Sequence, residues 1–395
     1  MNFRENTLVY APKRRIQFPA LLWFTLAMTG VLIQLHLGQI NNYLIFKNVF
    51  WHTLHQVNLY AYYPKEYLDL NHYGPLFSII IAPFAILPDW LGVILWAMFN
   101  AWALYYAIKQ LPISIELKNL ILLICSVEMM TSIQNVQFNP ILTSWILLTF
   151  ICILKDKTSL ACLFISAGFL VKIYGIVGIV FFFFSKDKLN FAKYLFLWMF
   201  ILFCLPMFLS SPSFILQTYI DWYHALAEKN SVNVQLDSFG IDISVMGLIR
   251  RIFNLKNLHN STIIFPAILA IISPLFRINK FENLNLKLAY LSLVLISVVI
   301  FSSSAESPTY IIAVTGVAIW YATYQGDHFL LVNIGVALVI LFTSIATTDL
   351  FPKYIRIHYI IPYSLKGLPC FIVWLILIYQ LLTTRPVPTH KLNLL

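Results

Sequence analysis

Apolar runs dominate the chain and recur from Phe18 to Leu382, with short polar stretches between them. The clearest runs cover about Phe18 to Leu35, Trp90 to Gln110, Leu120 to Ile133, Pro140 to Leu154, Thr158 to Val171 and Ile173 to Phe184. Six more follow, near Tyr194 to Leu209, Ile263 to Leu275, Leu288 to Phe301, Tyr310 to Tyr321, Phe329 to Thr347 and Phe371 to Leu382. They are continuous rather than alternating, which predicts membrane-crossing helices and not an outer-membrane barrel. The pattern therefore predicts an all-α polytopic membrane protein with about 11–13 transmembrane helices. No polar stretch is long enough to bury a core of its own, so residues 1–395 are expected to form one integral-membrane domain.

Composition agrees: hydrophobic residues make up 60% of the chain, charged residues 11%, and the mean hydropathy is +0.80. The net charge of +10 has a plain source in cytoplasmic anchoring loops, and no basic stripe interleaved with aromatics suggests a nucleic-acid partner. The five cysteines all sit inside apolar runs without metal-ligand spacing, and the histidines are scattered, so no metal is expected. The polar, basic stretch before Phe18 does not read as a cleavable signal peptide.

Charge also fixes the expected topology. Lys13, Arg14 and Arg15 precede the first run and place the N-terminus in the cytoplasm. Residues 36–89 then form the first outer loop, and its apolar tail, Gly74 to Pro88, is too short to cross ~30 Å of hydrocarbon. If that tail is a re-entrant or juxtamembrane helix, the inner face carries sixteen Lys and Arg against six Asp and Glu, and the outer face ten against nine. Reading it as a full span would invert every later loop and put the basic SKDKLNFAK and RINKFENLNLK outside. The C-terminus then lies inside, and residues 210–261 form a second outer stretch in which the amphipathic ISVMGLIRRIF suits the membrane interface.

The unusual polar segments fall together on the outer face under this assignment. They are Asn41 to Tyr73, Gln134 to Asn139, the vertex at Lys172, residues 210–261 and the SSSAESP around Glu306. A chamber at the membrane surface, with Asn41 to Pro88 as its roof, suits a substrate with a lipid tail and a polar head. Lys172 interrupts an apolar run, which costs ~2.5–3.5 kcal/mol at a helix centre; it is either a snorkelling side chain or a cation for a lipid-linked phosphate beside Tyr174. Glu128 is the other charge inside a run, either a structural ion pair, with Lys172 for instance, or a catalytic group. Glu306 precedes Pro308 as a helix-start carboxylate would. Glu66 and Asp69 are three residues apart, so one helical turn would set both on one face, and either suits proton abstraction from an acceptor hydroxyl. Asp221 to His224 is a weaker sugar-stacking patch.

The order NHYGPLF, AILP, QNVQFNP, LVKIYG and AESPTY resembles the GT-C glycosyltransferases of family eighty-seven, the polyprenyl-phosphate-mannose type, and the variants here resemble a bacterial subgroup. The likeness covers roughly Phe18 to Ala322. It implies a GT-C-like fold and an enzyme of the inner (plasma) membrane that moves a hexose, mannose-like, from a polyprenyl-phosphate donor to a glycan or lipid acceptor on the outer face, with no cofactor. It also implies donor and acceptor contacts from Asn41, Asn42, Tyr63, His72, Tyr73, Gln137, Asn139, Lys172 and Tyr174, with Trp51 and Tyr60 adding aromatic surface. One departure matters. The family's usual Asp at the start of the first outer loop is matched by Asn42, with Asn41 beside it, and no acid lies between Glu5 and Glu66. An amide cannot act as a base. Asp69 is the first choice for that role, ahead of Glu66, Glu306 and Glu128. A lipid-glycan flippase and a catalytically degenerate glycolipid-binding member are the alternatives; a flippase predicts repeated halves, and none is detectable.

Overall fold

The computed structural model describes residues 18–237 and 240–383. Lys13, Arg14, Arg15 and the C-terminal tail, which bear on the expected orientation, lie outside the described residues. Regular structure among the described residues is helical throughout. Backbone groups in hydrocarbon must be satisfied within their own segment, and helices do this.

The helices are α1 (Phe18–His36), α2 (Asn41–His55), α3 (Phe77–Ala85), α4 (Asp89–Lys109), α5 (Ile115–Gln134), α6 (Asn139–Leu154) and α7 (Thr158–Val171). A tighter 3-10 segment, Ile173–Phe184, follows, then α8 (Lys188–Cys204), α9 (Pro212–Asn233), α10 (Val245–Ile252), α11 (Asn260–Ile272), α12 (Leu284–Ile300), α13 (Tyr310–Thr323) and α14 (Phe329–Leu338). The last described helix is Leu368–Thr383. Among the described residues five helical stretches are long and apolar enough to cross a membrane alone: Phe18–His36, Asp89–Lys109, Lys188–Phe208, Asn260–Arg277 and Leu365–Thr383. Five shorter apolar ones accompany them. This is a polytopic membrane protein whose crossings are not uniform twenty-residue rods.

Burial sorts these helices. Most residues of α6 and α12 and nearly all of α13 are buried, whereas α8 buries only Phe191 and Leu202 and α11 only Ala267. The first set forms the core; the second presents apolar side chains outward, as lipid-facing helices do. Gly316 sits so close to α12 that a Cβ would lie 2.8 Å from the Ser292 carbonyl oxygen. Such small-residue contacts let helices approach where no hydrophobic effect drives them together. Buried hydroxyls on these helices bond back one turn, as Thr143 to Asn139 O at 2.7 Å and Thr315 to Ile311 O at 2.7 Å.

The segment expected to form the first outer loop is more ordered than its polar composition predicts. Residues Asn41–His55 form a helix, not a coil, because Tyr43, Phe46, Val49, Phe50 and Thr53 fall on one buried face at helical spacing. Lys47 pairs with Asp89 at 2.6 Å, and Tyr43 Oη donates to Phe84 O at 2.8 Å, so α2 lies along α3 and the start of α4. The apolar tail becomes α3, a helix of only nine residues, as expected of a re-entrant or juxtamembrane element. The stretch between α2 and α3 is irregular, and Glu66 and Asp69 do not share a helical face. A turn closes at Tyr67, whose N–H bonds Tyr63 O at 3.0 Å, and the chain bends again at Leu68 and Asp69.

The described residues of 210–261, expected as a second outer stretch, also fold. Ser211 caps α9, accepting from Phe214 N at 3.3 Å, and the helix runs for 22 residues. The amphipathic α10 turns a basic residue inward instead of lying free at the interface: Arg250 is 1% exposed and bonds the buried Asp242. Arg251 Nη1 donates to Asp242 O at 3.0 Å and reaches Ser364, so α10 is fastened to the segment before the last helix.

Candidate active site

The ends of α2, α5, α7, α9 and α12, the loop after α2 and the turn before α13 converge on one cavity of about 350 Å³. All the polar segments grouped on one face by charge contribute to it. Its lining includes Asn42, Asp69, His72, Tyr73, Gln137, Lys172, Tyr174 and Glu306 from the sequence reading.

Lys172 is placed by the backbone around it. The residue leaves α7 in an extended conformation, with φ −148° and ψ 118°, at the vertex between α7 and the 3-10 segment. Its N–H still bonds Gly168 O at 2.9 Å, and Gly175 N returns to Lys172 O at 2.9 Å. The two glycines touch: a Cβ on Gly175 would lie 2.2 Å from the carbonyl carbon of Gly168. That contact turns the chain sharply and points the ammonium into the cavity. Lys172 Nζ donates to Asn139 Oδ1 at 2.8 Å and stands 5.5 Å and 5.1 Å from the ring centres of Tyr73 and Tyr174. Among the described residues it makes no salt bridge to a carboxylate. Asn139 does not line the cavity; it is buried beneath Lys172 and donates to Pro308 O at 3.0 Å.

The aromatic walls are tied in turn. Tyr73 Oη donates to Gln137 Oε1 at 3.1 Å, and Tyr174 Oη is 2.7 Å from Ser302 Oγ. Gly74, next to Tyr73, lies against α7: its N–H bonds Val171 O at 3.0 Å, and a Cβ there would be 2.0 Å from Leu170 O. His72 is held from outside by Trp222, whose Nε1 donates to His72 O at 3.0 Å. Trp222 is therefore a buried strut and not a sugar-stacking face. Burial, with the positive charge of Lys229 and Lys172 nearby, pushes the His72 imidazole down to about 3, so it stays neutral.

Two carboxylates reach the cavity. Asp69 is exposed, accepts from its own neighbour Leu70 N at 2.7 Å, and has no cationic partner among the described residues. Glu306 pairs with Lys229 at 3.2 Å. The other two candidates stand elsewhere. Glu66 bonds His52 Nε2 at 2.8 Å outside the cavity lining, and Tyr63 packs on the same His52 ring at 4.5 Å. Glu128 is fully buried, and its partner is Lys366, not Lys172: Lys366 Nζ reaches Glu128 Oε1 at 2.8 Å, Ser307 Oγ at 2.9 Å and Thr347 Oγ1 at 3.2 Å.

Asn42 lines the cavity, but its amide is engaged, donating to Asn135 O at 2.7 Å. Asn41 accepts from Leu68 N at 2.8 Å and so holds the strand of chain that carries Asp69. Tyr60 donates to Tyr73 O at 3.0 Å, and Trp51 stacks on His55 at 6.0 Å; neither lines the cavity.

Lys229 is a cavity-lining cation that sequence reasoning passed over. It lies in the C-terminal half of α9, where three side-chain contacts fasten the helix to the turn before α13. Lys229 meets Glu306 at 3.2 Å, Ser303 Oγ donates to Asn230 Oδ1 at 2.6 Å, and Asn233 Nδ2 donates to Ser304 Oγ at 3.2 Å. In the sequence it is one charge on a polar helix, with no motif around it. Among the described residues no three His, Cys, Asp or Glu side chains gather as metal ligands.

Residues 71–344 match the model of glycosyltransferase family 87. Comparison with curated proteins gave no match. The matched region contains Lys172, Lys229 and Glu306; Asn42 and Asp69 precede it.

Proposed function

The chain belongs to glycosyltransferase family 87, and from that membership we propose that it moves a hexose, mannose-like, from a polyprenyl-phosphate donor to a lipid or glycan acceptor. The observation that carries this reading is one cavity holding Lys172 without an acidic ion-pair partner and Asp69 without a basic one among the described residues. The ammonium receives the donor phosphate between the faces of Tyr73 and Tyr174, and stabilises the charge that develops on the leaving group. Asp69 takes the proton of the acceptor hydroxyl as its oxygen attacks the sugar. Asn42, where the family usually has an acid, serves instead to hold the end of α5. The apolar helices around the cavity suit a donor and acceptor with prenyl or acyl tails. The cavity opens on the outer face of the plasma membrane, with both termini in the cytoplasm, as the basic inner loops suggest.

The test is transfer of labelled sugar in membranes containing the protein, given a panel of polyprenyl-phosphate hexoses and endogenous acceptors. Transfer from one donor is the expected result. Neither transfer nor hydrolysis from any of them would overturn the reading.

A further inference from the structure

The cavity holds one cation more than a phosphodiester needs. A sugar joined to polyprenyl phosphate is a phosphodiester with a single negative charge, which Lys172 alone can match. This rests on the phosphate-linked donor proposed above. During transfer the acceptor oxygen bonds to the anomeric carbon, its proton goes to Asp69, and the bond from that carbon to the phosphate oxygen breaks. The electron pair stays on the phosphate. The leaving group is then a monoester, whose second ionisation falls near pH ~6. The reaction therefore creates a second negative charge at the phosphate, and a cation is needed there that the bound donor did not require.

Lys229 is placed for that task. It lines the cavity, and its only charged partner among the described residues is Glu306, at 3.2 Å with both side chains partly buried. The backbone of α9 does not have to move, because Asn230, Asn233 and Trp222 hold the helix to Ser303, Ser304 and the His72 carbonyl. Rotation of one flexible side chain is enough. Glu306 is not left bare by the exchange: its carboxylate also accepts the Thr309 N–H in a capping box. We infer that Lys229 is a second phosphate-binding residue that exchanges Glu306 for the leaving-group oxygen as the glycosidic bond breaks, so that it serves the transition state and product more than the bound donor. A contact of that kind raises turnover without tightening substrate binding.

The experiment compares two ligands in detergent at pH 7: a polyprenyl monophosphate, and its methyl ester as a one-charge phosphodiester. Lys172→Met should weaken both by about tenfold or more, as loss of a charge-assisted contact does. Lys229→Met should weaken the monophosphate by about tenfold and the methyl ester by less than about twofold. Lys229→Arg should restore the monophosphate. At pH 5 the monophosphate carries one charge, and the Lys229 effect should vanish. The charged and titratable groups that line the cavity with Lys229 are Lys172, His72, Asp69, Glu306, Tyr73 and Tyr174. His72 is neutral at both pH values, and Glu306→Gln measured in parallel separates that carboxylate from the ligand's own titration. If Lys229→Met cannot be recovered, Lys229→Gln still reaches Glu306 and serves instead. Equal effects on the two ligands, or none on either, overturn the inference. Failure of the unaltered protein to bind either ligand overturns the phosphate-donor reading and the inference with it.

Discussion

Lys172 Nζ donates to Asn139 Oδ1 at 2.8 Å, so an amide and not a carboxylate holds the cavity's central cation. A carboxylate would neutralise the ammonium; the amide orients it and leaves its charge for a ligand. Asn139→Ala should lower transfer about tenfold with little loss of protein, since one hydrogen bond to a charged group is worth ~1.5–3 kcal/mol. Lys172→Met should lower it by more than about a hundredfold. Steady-state rates at matched expression decide this, and a fully active Lys172→Met protein would remove the residue from the site.

Asp69→Asn keeps the shape of the loop and removes the base. Transfer should fall by ~10²–10⁴, with the donor still bound. Should Glu306→Gln abolish transfer while Asp69→Asn leaves it intact, the roles of the two cavity carboxylates are exchanged.

Glu128 and Lys366 are 0% and 1% exposed in side chain, and each depends on the other. Removing one partner strands a buried charge, at a cost of ~3–5 kcal/mol. Glu128→Gln and Lys366→Met should each lower the melting temperature in detergent more than the double substitution does. A double variant as unstable as the sum of the singles would contradict a simple pair.

Gly74→Ala should displace the loop that carries His72 and Tyr73, because the added methyl would lie 2.0 Å from Leu170 O. Weaker binding of a polyprenyl monophosphate and a lower melting temperature are the expected results. Unchanged binding would show that the loop yields freely.

His72 gives a pH dependence with a definite sign. Its folded-state value is lowered to about 3, against an ordinary value near ~6.5. Above pH ~6.5 neither state is protonated and the stabilisation is complete. As pH falls below that, the unfolded chain takes up a proton that the folded site refuses, and stability drops by on the order of 1 kcal/mol per pH unit. His72→Gln should flatten the melting-temperature profile between pH 6.5 and 4. A parallel profile for the variant would mean that the imidazole is protonated in the folded protein.

Much of the cavity's lining was legible in the sequence because charge and length act locally. The basic loops grouped five polar segments on one face, and those segments meet around Lys172, Asp69 and Glu306. The short Gly74–Pro88 stretch could be read as less than a full crossing from its length alone. What escaped was set by contacts between distant residues. Lys366 meets Glu128 across 238 positions, a distance in the chain at which no periodicity points to a partner. Lys229 gains its meaning only when α9 is laid beside Glu306. The helix Asn41–His55 was hidden by its polar outer face, although its buried positions keep helical spacing.

The contact between Gly168 and Gly175 has a consequence for where inactivating changes should fall. The position of the central cation is encoded by two residues that carry no side chain and bind nothing. A saturation scan for lost activity should therefore mark both glycines as intolerant, though neither takes part in any chemistry. At this vertex, activity depends on two backbones that leave no room for a methyl group between them.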